Sequence, residues 1–344
     1  MHRRLLVLII PFLLTTAILR AQTSSVPAAA SLSPNSAVVG NLTVPRTHAE
    51  DWIALPLDKS GLDPKLFNAV LLSKAEQPTY TRELIRMEWR SGDPIEVTIV
   101  IPHGVARPPV ILFLYDYTSD TDRFHNDGWC KRATQGGVAA VGFVSALSGQ
   151  RFHAPRLLTA WFVSEMQEAL TTSTHDVQMV LNYLALRNDL DAKSVGMFGQ
   201  GSGGAIAVLA ASVDPRIVAL DLLNPWGDWP DWLKDSKQIP EKERAVYLKP
   251  QFLQSVSTLD PVTYLPQLKL KSLRIQQVMD DQVTPQAAKD KIAAAVSKPD
   301  EVIRYKDVVE HESVWRVSGL SGWLRKQLRP SPEQAKPSIV AMSQ

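Results

Sequence analysis

The stretch Ser194–Ser212, SVGMFGQGSGGAIAVLAAS, carries an apolar, strand-like run into a glycine cluster and straight on into an alanine-rich run suited to a helix. Two chemistries use such a turn. A dinucleotide site needs glycines where the backbone approaches a pyrophosphate at a helix N-terminus, and Gly199, Gly201 and Gly204 fit G-x-G-x-x-G, with Asp221 at about the distance of a ribose-binding acid. A nucleophile elbow instead holds a reactive side chain on a strained turn, flanked by small residues that avoid a clash. The dinucleotide reading is the weaker one, because four strand-like runs precede this unit and Asp221 sits inside an apolar run rather than at its tip. No H-E-x-x-H, paired-cysteine or P-loop pattern occurs, and the remaining histidines lack metal-ligand spacing, so neither metal nor cofactor is expected.

The elements that would position this turn follow from the apolar pattern. Glu83–Trp89 and Ile95–Ile101 read as an opening hairpin, followed by Val110–Tyr115, Val138–Val144, Ser194–Phe198, Ile217–Leu223, Leu273–Met279 and Val302–Tyr305. Several are unbroken apolar runs, as strands buried on both faces require. Between them lie helical stretches: Ser173–Leu186, opened by a Ser173 to Asp176 capping pair, then Gly203–Ser212, Pro285–Val296 and Ser313–Leu328. The expectation is one large α/β domain with an eight-stranded, mostly parallel sheet and helices on both faces.

Composition fits a globular chain: 344 residues, 45% hydrophobic and 21% charged. Lys and Arg number 37 against 35 for Asp and Glu, and removing Arg3, Arg4 and Arg20 erases that excess. The body therefore lacks the basic asymmetry of a nucleic-acid binder. Arg3 and Arg4 followed by the apolar run Leu5–Leu14 read as a signal peptide over 1–21, ending at Ala21; Leu19 fits the cleavage rule poorly, so an uncleaved anchor stays open. The expected location is periplasmic or extracellular, with no membrane span in the mature protein. Residues 22–50 read as a flexible linker, 51–82 as an extension packed on the domain, 83–328 as the domain and 329–344 as a flexible tail.

From about Glu83 to Leu328 the chain resembles the α/β-hydrolase superfamily, in particular its exported esterase and dienelactone-hydrolase-like branches, through the strand–glycine turn–helix segment and the chain order that follows it. The resemblance implies nucleophile, acid and histidine in that order, acting on a small-molecule ester or acyl substrate. Asp281 in VMDDQVTPQ then stands at the acid position, Asp228 at the alternative one, and His311 in VVEHES at that of the general base, after the last strand and before the last helix. Aligned on Gly203-Gly204, the elbow places Gly201 at the nucleophile position between Gly199 and Gly203; taking Ser202 as nucleophile puts bulky Gln200 where the turn wants a small residue. Two readings stay open. One is an ester hydrolase with Ser202, Asp281 and His311 and with the backbone N–H groups of Tyr117 and Gly203 as oxyanion donors. The other is a degenerate fold that binds a ligand or partner in the old pocket.

The third strand ends LFLYDYTSD, so Tyr115 and Asp116 occupy positions where relatives carry His-Gly ahead of an oxyanion donor. A carboxylate there opposes a developing oxyanion, unless Asp116 is a turn residue pointing to water. In LLNPWGDWPDWL, Trp226, Trp229 and Trp232 are separated by Pro230 and preceded by Pro225, which makes the segment a loop or small Trp-rich cap. Trp226 and Trp229 are expected to line a substrate pocket with Tyr115 and Asp116, or else to pack the cap on the body. The single cysteine, Cys130, lacks an elbow of its own and reads as a small buried residue.

Overall fold

A computed structural model describes residues 69–89, 93–117, 123–147, 161–296 and 299–328, with residues 161–168 described as helical backbone only. The proposed signal peptide, the linker and the C-terminal tail lie outside the described residues. Among the described residues no helix is long and apolar enough to cross a membrane.

The chain enters through three strands, β1 (Val70–Glu76), β2 (Tyr80–Met87) and β3 (Ile95–Pro102), paired antiparallel in sequence. It continues through β4 (Pro109–Leu114), α1 (Asp127–Ala133), β5 (Ala139–Phe143), α2 (Trp161–Ala185), β6 (Asp191–Gln200), α3 (Ser202–Val213) and β7 (Ile217–Leu223). Four short helices follow, α4 (Trp229–Asp235), α5 (Glu241–Tyr247), α6 (Pro250–Val256) and α7 (Pro261–Tyr264). The last elements are β8 (Ser272–Val278), α8 (Gln286–Ala295), β9 (Glu301–Tyr305), α9 (Val308–Ser318) and α10 (Gly322–Leu328). All strands join one nine-stranded sheet in the order β1-β2-β3-β5-β4-β6-β7-β8-β9, parallel from β5 through β9.

Strand periodicity divides the core into two layers. Along β4, Val110, Leu112 and Leu114 face one cluster with Val177 and Leu181 of α2 and Ile206 of α3, while Ile111 and Phe113 face a second with Trp129 of α1 and Leu324 of α10. Helices thus cover both faces, and the central strands are buried on both sides as their apolar runs require.

Three boundaries differ from the sequence expectation. The sheet has nine strands, not eight: β1 lies within the stretch read as an extension, and its near-complete exposure removes the apolar alternation that marks a strand. Ser173 does not begin a helix but sits inside the 25-residue α2, where its Oγ accepts a hydrogen bond from the Ala146 N–H at 2.9 Å. The run Thr171–Asp176 is buried, so its polarity misreads as a helix start. The stretch expected as one terminal helix is two, because α9 ends at Gly319, whose φ of 76° and N–H bond to the Trp315 carbonyl close the turn.

Asp221 shows how the sheet's far side is locked. Its carboxylate, 1% exposed, accepts from Arg274 Nε at 2.9 Å and Gln276 Nε2 at 2.8 Å, with Arg274 Nη2 also paired to it. The acid expected of a dinucleotide site is therefore used up inside the sheet. Asp221→Ala leaves the buried Arg274 guanidinium with only the more distant Glu301, 3.9 Å away, and is expected to cost about 3 kcal/mol, read as a lower urea midpoint.

Candidate functional site

Strand β6 runs out at Gln200, and helix α3 begins at Ser202, leaving Gly201 as the apex of the turn with φ 55° and ψ −118°. The apex is fixed by its own peptide groups: Gly201 N–H donates to the Leu223 carbonyl at 2.9 Å, and its carbonyl accepts from Gly204 and Trp226 at 3.0 Å. The flanking glycines are dictated by contact. A Cβ on Gly199 would lie 2.6 Å from the Gly203 carbonyl oxygen, and one on Gly203 would lie 2.4 Å from that of Leu114.

Asp116, just past β4, closes the turn from the neighbouring strand. Its Oδ1 accepts from the backbone N–H groups of Tyr117 at 2.9 Å and Ser202 at 3.0 Å, and from Ser202 Oγ at 3.2 Å. Two backbone donors converging beside a helix N-terminus are what an acyl-transfer site uses to hold an oxyanion, and here a carboxylate of the same chain occupies them. Burial pushes the Asp116 carboxyl above the usual range against the pull of those N–H groups, and the charge of Asp281 adds to the rise. A Cβ built on Gly201 would lie 2.2 Å from Asp116 Oδ1 and 2.3 Å from its Cγ, so the carboxylate fills the space of an apex side chain.

Of the residues singled out in the sequence, Tyr117, Ser202 and Asp116 come together, Ser202 being fully buried. The N–H paired with that of Tyr117 belongs to Ser202, the residue after the apex, and not to Gly203. The Asp281 carboxylate accepts from Val283 N–H at 3.2 Å and Thr284 N–H at 3.0 Å. Beneath that turn lies Lys289 of α8, fully buried, donating to the carbonyls of Val278 at 2.7 Å and Asp281 at 2.8 Å. Burial lowers the pKa of this ammonium, with Asp281 opposing. Lys289 was invisible in the sequence, since a helical lysine ordinarily faces water.

His311 lies within α9, after the last strand β9 and before the last helix α10. Its half-buried ring stacks edge-on against Tyr305, with centroids 5.0 Å apart, and burial holds its pKa below the ordinary imidazole value. Among the described residues its imidazole makes no hydrogen bond with Asp281. Tyr305 in turn donates through its hydroxyl to Gln276 Oε1 at 2.9 Å, which ties the histidine's platform to the Asp221 network.

A cavity of about 380 Å³ opens at the carboxyl ends of the strands. Asp281, His311, Gln200 and Asn224 border it with Tyr115, and Trp315 supplies a wall absent from the sequence expectation. Asp116, Trp226 and Trp229 do not border it: Asp116 is turned onto the N–H groups of Tyr117 and Ser202, and the two tryptophans with Trp232 are at most 1% exposed, rings 4.8 and 5.7 Å apart, packing α4 onto the body. Packing is therefore the role of these rings. Asp228, with φ 55°, pairs with Lys291 at 3.1 Å, and burial lifts its pKa to about 6. Cys130 is buried, its Sγ 3.6 Å from the Phe124 carbonyl oxygen. Among the described residues no cluster could hold a metal ion.

The crowding at the apex makes a test of its own. Gly201→Ala is expected to cost about 1–3 kcal/mol through φ strain and the contact with Asp116. Adding Asp116→Ala should return part of it, a coupling of more than about 0.5 kcal/mol in a double-mutant cycle by urea unfolding.

No protein-family profile matches the chain, and no curated protein does. Solved structures share its fold. An acetyl xylan esterase from Paenibacillus sp. R4 superposes with a TM-score of 0.61 at 17% identity over 75% of this chain and 89% of that one. Acetyl xylan esterase 1 from Thermoanaerobacterium sp. JW/SL YS485 gives 0.57 at 14% identity over 73% and 84%. The Pyrococcus horikoshii acylaminoacyl peptidase gives 0.52 at 14% identity over 67% of this chain and 38% of that longer one. With the strand–turn–helix unit, the mostly parallel sheet and these superpositions together, the chain has the α/β-hydrolase fold.

Proposed function

We propose that this chain is a catalytically degenerate α/β-hydrolase-fold protein, exported from the cell, that binds a small molecule in the cavity at the strand ends without serine acyl transfer. The observation that carries this reading is the Asp116 carboxylate, seated on the N–H groups of Tyr117 and Ser202 and in the space of a side chain at Gly201. A donor of that kind contributes about 10² to 10³ in rate when it is free to meet an oxyanion. Held by Asp116, both donors are already satisfied. Ser202 is the remaining hydroxyl of the turn, and its Oγ is buried and spent on the same carboxylate.

The competing reading is a carboxylic ester hydrolase using Ser202, Asp281 and His311, favoured by one feature: Asp281 and His311 border one cavity. It requires Ser202 to leave Asp116 and His311 to find both Ser202 and Asp281. A fluorophosphonate separates the two. Incubation with the purified full chain, followed by intact mass and peptide mapping, is expected to give no adduct. An adduct on Ser202, lost in Ser202→Ala, would establish the hydrolase instead.

A further inference from the structure

Most guanidinium groups near the core have a carboxylate. Arg187 pairs with Glu83 and Asp189, Arg216 with Asp214, and Arg274 with Asp221. Arg123 differs. It opens the short turn Arg123–His125 ahead of α1, is half-buried and borders the cavity, yet among the described residues no carboxylate pairs with it. Its guanidinium lies 4.1 Å from the centroid of the Tyr115 ring. That ring is itself fixed, because the Tyr115 hydroxyl accepts from Trp129 Nε1 at 2.6 Å and Phe198 packs 5.7 Å away. A planar cation stacked on an immobile ring keeps its donor edge oriented and loses little entropy on pairing.

Among the described residues, the acidic groups around the cavity do not supply its partner. The Asp281 carboxylate is held by two backbone N–H groups, with Lys289 4.0 Å away. Glu312 pairs with Arg316 at 3.3 Å along α9. Asp280 stands exposed in water. Among the described residues, then, Arg123 is the cation of the cavity without a carboxylate, while Phe198, Leu223 and Trp315 give apolar area beside it. A guanidinium fork matches a carboxylate with two parallel hydrogen bonds, and such a charge-assisted pair is strong where water is partly excluded.

We propose that the cavity takes a small organic acid, its carboxylate paired with Arg123 and its apolar body against Phe198, Leu223 and Trp315. This deepens the binding reading and rests on it. The test is calorimetric titration of the full chain at neutral pH with phenylacetate and with its uncharged amide, phenylacetamide. Phenylacetate is expected to bind at least about tenfold tighter than the amide. Arg123→Gln should erase that difference by weakening phenylacetate binding the more, and Arg123→Lys should retain part of it, since it keeps the charge and loses the fork. Equal affinity of the wild type for acid and amide, undiminished phenylacetate binding in Arg123→Gln, or no binding of either compound would overturn the proposal. A fluorophosphonate adduct on Ser202 would remove the non-hydrolytic reading and leave this acid-against-amide comparison to be judged separately.

Discussion

The carboxylate of Asp116 is the constraint around which the strand ends are arranged. It bridges the end of β4 and the start of α3, accepting from the backbone on both sides. Two otherwise orphaned N–H groups are satisfied there, one of them in the first turn of a helix where negative charge is favoured. The same carboxylate lies where an apex side chain would lie, so Gly201 and Asp116 form one packing unit. Neither residue can be understood without the other.

Beside that unit, the residues that border the cavity are held by partners beneath them. The turn carrying Asp281 rests on the buried ammonium of Lys289, which donates to carbonyls at both its ends. His311 rests on Tyr305, and Tyr305 on Gln276 and the buried pair of Asp221 and Arg274. Tyr115 is held by Trp129. The Asp281, His311 and Tyr115 sides of the cavity are thus each held by a buried partner, which keeps their side chains in place.

The sequence made the central strands and the glycine turn legible because both follow from local rules. Unbroken apolar runs such as PVILFL have to be buried on both faces, and an apolar run passing into glycines and then alanines has to turn sharply. What escaped depended on distant contacts. The strand Val70–Glu76 is exposed, so no pattern announced it. Thr171–Asp176 reads as a helix start because its polar residues are buried inside α2, two of them held by remote partners, Ser173 by Ala146 and Asp176 by Trp89. The three tryptophans had the area to line a pocket, but tertiary packing put them in the core, and Trp315 became a wall of the cavity. Asp116 stood out as a misplaced charge, yet its hydrogen bond to Ser202 spans 86 residues, beyond the reach of any local rule.

The central claim is that Ser202 fills a space and anchors a carboxylate but attacks nothing. The most direct measurement is the steady-state hydrolysis of p-nitrophenyl acetate by the full chain and by Ser202→Ala, both checked to be folded. The account predicts the same feeble rate for the two proteins, close to that of the ester in buffer. A rate that falls by about 10³-fold or more in Ser202→Ala would contradict it, since a loss of that size follows removal of a nucleophile and not of a buried hydrogen bond.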